Sequence, residues 1–178
     1  MVKALKTLLL LITTLSFSQN KSENEVLKKI VDHEIQKNKA TIYIECKKTN
    51  TSFNIEEFKE ESAGLEISEI TLNEFKNNNI HTDEVWNSEL IKQLEFNSIY
   101  IKSTNCLTKE EIELIFKNTN KRQNIVSISK PVFDNNFESC IVSVMYSKSF
   151  RSASGQSYFL KKVNGIWEII MEFRQWIT

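Results

Sequence analysis

Proline and glycine are nearly absent from this chain, with one proline, Pro131, and three glycines in 178 residues. So few breakers leave no Pro-rich or Gly-rich linker at which the chain divides, and residues 19–178 read as a single domain. A length near 160 residues suits one core that buries roughly 70% of the unfolded surface. No charge dominates, because 23 basic side chains meet 23 acidic ones, so nothing attracts a polyanion and nucleic acid is excluded as a partner. Cysteine is scarce. Cys46, Cys106 and Cys140 form no C-x-x-C pair and have no neighbouring histidine, so no structural zinc site is supported, and no metal or other cofactor is expected. In an oxidising compartment one disulfide with one thiol left over fits this count, and three buried free thiols fit it equally.

Catalytic motifs are missing too. There is no G-x-S-x-G elbow, no S-x-x-K and no histidine in a recognisable triad order, so no catalytic residue is assigned. His33 stands between Asp32 and Glu34, and His81 precedes Thr82-Asp83-Glu84, but two histidines without spacing are not a ligand pattern. The chain also lacks an apolar run of the roughly 20 residues that span a bilayer. Leu5 to Phe17 is shorter and is interrupted by Thr13, Thr14 and Ser16. With Lys3 and Lys6 before Leu8–Leu15, and small residues in Ser16-Phe17-Ser18, residues 1–18 read as a signal peptide cleaved near Ser18/Gln19. The first cysteine, Cys46, lies too far on for lipidation, and the expected product is a soluble periplasmic or secreted domain with no transmembrane segment.

What is present is a change of period along the chain. Ser22-Glu23-Asn24-Glu25 fits a capping box, and Val26, Leu27, Ile30, Val31 and Ile35 share one face of a helix predicted to Lys37. Thr41 to Cys46 alternates as a half-buried strand does, and Leu65 to Ile70 reads as a further weak strand. Thr82-Asp83 offers a cap for an amphipathic helix through Val85, Trp86, Leu90, Ile91 and Leu94, followed by a strand from Ser98 to Lys102. Thr108 and Glu111 form a capping box for a helix reaching about Lys117. From Ile125 the period becomes two over Ile125–Phe133, Ser139–Ser147, Ser157–Val163 and Ile166–Gln175. Asn164-Gly165 between the last two is the pair a type I′ turn prefers, and Pro131 places its strand at an edge or close to its end. The expected class is α+β, with N-terminal helices on a curved antiparallel sheet ending in a four-stranded C-terminal meander.

Three stretches carry a resemblance: Ser129-Lys130-Pro131-Val132-Phe133, Val142 to Tyr146, and Tyr158 to Ile169 with its L-x-K-x-N-G-x-W run, closed by Trp176-Ile177-Thr178. They resemble the C-terminal sheet of uncharacterised exported proteins of Bacteroidetes. Many of those carry a Cys-Gly and Gly-rich hairpin where this chain has Phe150 to Gly155. The strand and N-G-x-W ending is also similar to the closing hairpin of NTF2-like and cystatin-like domains. That resemblance implies helices packed on a curved sheet and leaves function open.

Arg151-Ser152-Ala153-Ser154-Gly155 offers one cation, hydroxyls and a glycine free to take unusual backbone angles. Arg151, Ser152 and Ser154, with Tyr146 and Tyr158, are therefore the candidate ligand-binding residues, although small polar side chains also fill any exposed turn. Of the aromatics, Trp86, Trp167 and most tyrosines fit a core, and Trp176 is the candidate for an exposed contact. Cys140, inside an apolar strand, reads as a small buried residue. The leading functional expectation is an exported, non-enzymatic binding or interaction protein with a protein partner in the cell envelope, a class that includes immunity-type inhibitors of secreted toxins. The alternatives are a small enzyme or ligand-binding NTF2-like domain with a pocket between helices and sheet, and a purely structural envelope protein.

Overall fold

The two-residue period of the C-terminal half is realised as a sheet whose two faces are both covered. The computed structural model describes residues 21–37, 42–81, 83–86, 91, 106–121, 123–148 and 152–178. Residues 1–18, expected to be a signal peptide, together with Thr41, the strand expected at 98–102 and Arg151, lie outside them. Residues 21–37 are helical (α1), followed by β1 (Tyr43–Ile44), α2 (Ile55–Glu61), α3 (Glu69–Asn78) and α4 (Lys109–Thr119). The remaining strands are β2 (Asn124–Ile128), β3 (Val132–Phe133), β4 (Ser139–Lys148), β5 (Ala153–Val163) and β6 (Ile166–Ile177). They form one sheet in the order β1-β2-β4-β5-β6, with β3 also on β4. Among the described strands β1 and β2 run parallel and the other pairs are antiparallel, so the expected α+β class and C-terminal meander are present.

Alternation along β4 and β5 sends side chains to two separate cores. Cys140, Val142, Val144, Tyr158 and Leu160 meet Val26, Leu27, Ile30, Val31 and Ile35 of α1, the stripe read from helical spacing. Ile141 and Phe159 meet Phe58 of α2, Leu72 and Phe75 of α3, and Phe173 of β6. In that second core Phe58 stands edge-to-face with Phe159 and Phe173 at centroid distances of 5.4 and 5.0 Å. Residues 155–160 are consequently buried without a break, as expected where both faces of a sheet are packed.

Local chemistry explains the element ends. Thr108 and Glu111 make the reciprocal capping box, with backbone-to-side-chain distances of 2.7 and 3.3 Å. Asn164 and Gly165 take φ of 53° and 79°, and Val163 pairs with Ile166 across the turn they form. β2 stops at Ile128, three residues before Pro131; it is an interior strand, held by β1 and β4.

Three expectations are corrected. Leu65 to Ile70 is not a strand: the Ser68 hydroxyl caps α3 by accepting from the Thr71 N–H, and Leu65 and Ile70 are exposed while Leu72 and Phe75 are buried at helical spacing. Ser22 does not cap α1, because Lys21 is already helical and Ser22 is buried within the first described turn. Val85 and Trp86 do not open a helix. They are drawn against the chain after β1, where Val85 bridges Lys47 and the Trp86 N–H donates to the Cys46 carbonyl at 2.8 Å; Ile91 is helical and its neighbours lie outside the described residues.

Of the two cysteine readings, the single bridge holds: Cys46 and Cys106 form a disulfide, and Cys140 is a buried free thiol. Burial pushes that thiol well above its ordinary range, which removes it as a nucleophile.

Candidate functional site

Past the last described turn of α1, the sheet face on that side forms a cleft of about 780 Å³, within the range of small-molecule sites. Strand register builds its floor. Tyr146 pairs with Ser154 across β4 and β5, and Ser154 pairs with Ile177 across β5 and β6, so these three side chains share one face with Gln156. Lys37, Ile42, Asn124, Gln175 and Trp176 complete the rim. The Tyr146 hydroxyl is shielded from solvent and has no hydrogen-bond partner among the described residues. Such a group is costly unless something supplies its bond.

The inner wall is a polar relay that joins α1 to β5 and β6. The Lys37 ammonium donates to the Gln156 carbonyl oxygen at 3.0 Å and to Glu172 at 2.6 Å. Glu172 also meets His33 Nε2 at 2.9 Å. The Gln156 amide donates to Glu34 at 3.2 Å, and the Tyr158 hydroxyl donates to the same carboxyl oxygen. Burial pushes the Glu34 carboxyl above the ordinary carboxylate range, and the Tyr158 hydrogen bond with the Lys37 and His33 charges offsets this only in part. Glu172 shifts the other way: burial raises it, but hydrogen bonds from Lys37 and His33 outweigh that and hold it low. Burial and the adjacent Glu34 together raise the Tyr158 hydroxyl far above its ordinary value. The Lys37 charge is thus paired with Glu172 within the chain.

Of the residues read from sequence, Tyr146 and Ser154 come together in the cleft. Tyr158 shares their sheet face but is fully buried, its hydroxyl taken by Glu34. Ser152 is exposed, and Arg151 lies outside the described residues. Gly155 is buried in β5 without a positive φ, so its expected backbone freedom is not its role. It is a seat: a Cβ there would fall 2.7 Å from Cε2, Cζ2 and Nε1 of the Trp176 indole. The histidines have separate partners, His33 on Glu172 and His81 on Asn50, and among the described residues no group of three His, Cys, Asp or Glu side chains could hold a metal ion. Sequence reasoning missed Glu34, Lys37, Gln156 and Glu172. One signal was available for Glu34, which follows Leu27 and Ile30 by seven and four residues and so lies on the apolar stripe, where a carboxylate needs partners.

No family model matches the chain, and neither a curated protein nor a solved structure shows detectable similarity to it.

Proposed function

We propose that the chain is an exported, non-enzymatic binding protein that holds a small, largely uncharged ligand in the cleft beside Tyr146. One observation carries this reading: Tyr146 lines a cleft of about 780 Å³, and its hydroxyl, just beneath the cleft surface, has no hydrogen-bond partner among the described residues. A ligand acceptor there would remove the cost of that orphan group. Charge supports the same conclusion, since the cleft's one described cation, Lys37, is already paired with Glu172 at 2.6 Å. The non-enzymatic part rests on the buried, hydrogen-bonded state of Glu34 and Tyr158, and on Ser154, which has no histidine or carboxylate bonded to it among the described residues. Export rests on the reading of residues 1–18, with which the Cys46–Cys106 bridge is compatible.

The test is a ligand-observed NMR screen of the mature protein against a metabolite and glycan library, repeated on Tyr146→Phe. The expected result is a hit weakened about tenfold by the loss of one hydroxyl, with an unchanged Tm. A library with no hit, or hits indifferent to Tyr146→Phe, would overturn the cleft as the site. Export is tested separately by fractionation, the expected product beginning near Gln19.

A further inference from the structure

We propose that the relay is a pH-sensitive latch in the wall of the cleft: buried Glu34 and half-buried Glu172 compete for Lys37, and the ionisation state of Glu34 decides which of them holds it. The side-chain geometry sets up this competition. Lys37, in the last described turn of α1, donates to Glu172 Oε2 of β6 at 2.6 Å and to the Gln156 carbonyl oxygen of β5 at 3.0 Å. The Gln156 amide in turn donates to Glu34 at 3.2 Å. One amide thus joins the lysine of the first carboxyl to the second.

The groups facing Glu34 are His33 and Lys37 from its own helix, Gln156 and Tyr158 from β5, and Glu172 from β6. With Glu34 protonated, this part of the core is uncharged and Lys37 rests on Glu172. Once Glu34 ionises, the same lysine faces two carboxylates. Coulombic attraction is stronger where the effective dielectric is lower, and Glu34 is 1% exposed whereas the Glu172 side chain is 27% exposed. Glu172 can release the lysine because His33 Nε2 stays with it at 2.9 Å. Lys37 is therefore drawn inward along Gln156.

Both Lys37 and Gln156 line the cleft, so the change reaches its surface. While Glu34 is neutral, Lys37 and Glu172 cancel. When it ionises, the wall carries one more negative charge and its lysine is withdrawn. The two acids titrate in separate steps: burial keeps Glu34 above the ordinary value of 4.5, whereas for Glu172 the Lys37 and His33 bonds outweigh burial and hold it below that value. The latch is a property of the unliganded chain and stands or falls apart from what the cleft binds. If the relay were only an anchor for α1, Lys37 would stay on Glu172 throughout.

The experiment follows the carboxyl carbon signals of Glu34 and Glu172 and the Nζ signal of Lys37 by NMR on the ligand-free protein, from about pH 4 to about pH 9, below the lysine's own ionisation. The expected result is a Lys37 shift with the same midpoint as the Glu34 transition. That shift should be lost in Glu34→Gln, whose amide oxygen still accepts from Tyr158 and Gln156. A Lys37 signal that stays flat through the Glu34 transition, or no Glu34 transition between those limits, overturns the inference. So does a shift that survives in Glu34→Gln, which would belong to His33 or Glu172. Glu172→Gln is the second variant should Glu34→Gln fail to fold. It leaves Lys37 to Glu34 and removes a like charge, so Glu34 should titrate at lower pH than in the wild type, and an unchanged or higher midpoint would mean that the two acids do not compete.

Discussion

The carboxyl of Glu34 on α1 and the hydroxyl of Tyr158 in β5 are hydrogen-bonded in the core across 124 residues of sequence. Both side chains are almost fully buried, so neither can replace the other with water. Removing one partner from a buried bond leaves the other to bear its desolvation, which costs about 1–3 kcal/mol. Tyr158→Phe should therefore lower stability by about that amount, read as a shift of the urea midpoint at constant slope. A change within about 0.5 kcal/mol would show that the remaining partners of Glu34, Gln156 among them, satisfy it.

The pH dependence of stability should carry two opposite signatures. Glu34 has a folded value raised above the ordinary 4.5, so the folded state holds the proton more tightly than the unfolded one. Its contribution weakens the fold as pH rises from 4.5 through the raised value, because ionisation in the core is disfavoured. Glu84 is the reverse: the Lys130 hydrogen bond, opposed by burial and reinforced by Lys48, holds it down at about 2. Its stabilisation is present above 4.5 and is lost as pH falls toward 2. In denaturation series across pH, Glu34→Gln should gain on the wild type above the ordinary carboxylate range. Glu84→Gln should lose most at neutral pH and converge with the wild type in acid. Parallel curves for either variant would contradict its assigned shift.

Gly155 and Trp176 should behave as one unit. Any Cβ at position 155 falls 2.7 Å from three indole atoms, and overpacking of this kind costs about 1–3 kcal/mol. Gly155 has no positive φ, so the backbone itself tolerates alanine. Gly155→Ala should be destabilising in the wild type and nearly neutral in a Trp176→Ala background, the coupling being measured by a double-mutant cycle. Equal costs in both backgrounds would mean that the clash is relieved elsewhere and that the indole is not seated on the glycine.

How far the sequence was legible follows from the range of each interaction. The α1 stripe, the Thr108 box and the Asn164-Gly165 turn are set by residues within a few positions of one another, and all three are present as read. Leu65 to Ile70 misled because its apolar residues are exposed and the cap at Ser68 decides the local structure. The relay was beyond local reading, since His33 and Glu172 stand 139 residues apart and only the sheet order brings them together. Tyr146 and Ser154 entered the candidate set from composition near a hairpin, whereas the Tyr146 orphan hydroxyl is visible only once the cleft has walls.

The Cys46–Cys106 bridge closes a span of 60 residues. In the chain-entropy account a loop of that length restricts the unfolded state by about 4 kcal/mol. It also secures a long-range contact, since the Cys46 N–H donates to the Leu107 carbonyl at 2.8 Å and Glu45 bridges Leu107, just before α4 begins at Lys109. Reduction under native conditions should cost about 2–5 kcal/mol, read as a lowered Tm. Thiol titration separates the cysteines independently. Cys140 is fully buried, so the native oxidised protein should show no reactive thiol, the denatured oxidised protein one, and the denatured reduced protein all three. Three thiols in denaturant before reduction would mean that Cys46 and Cys106 are not bridged, and the entry to α4 would then depend on its hydrogen bonds to the chain around β1 alone.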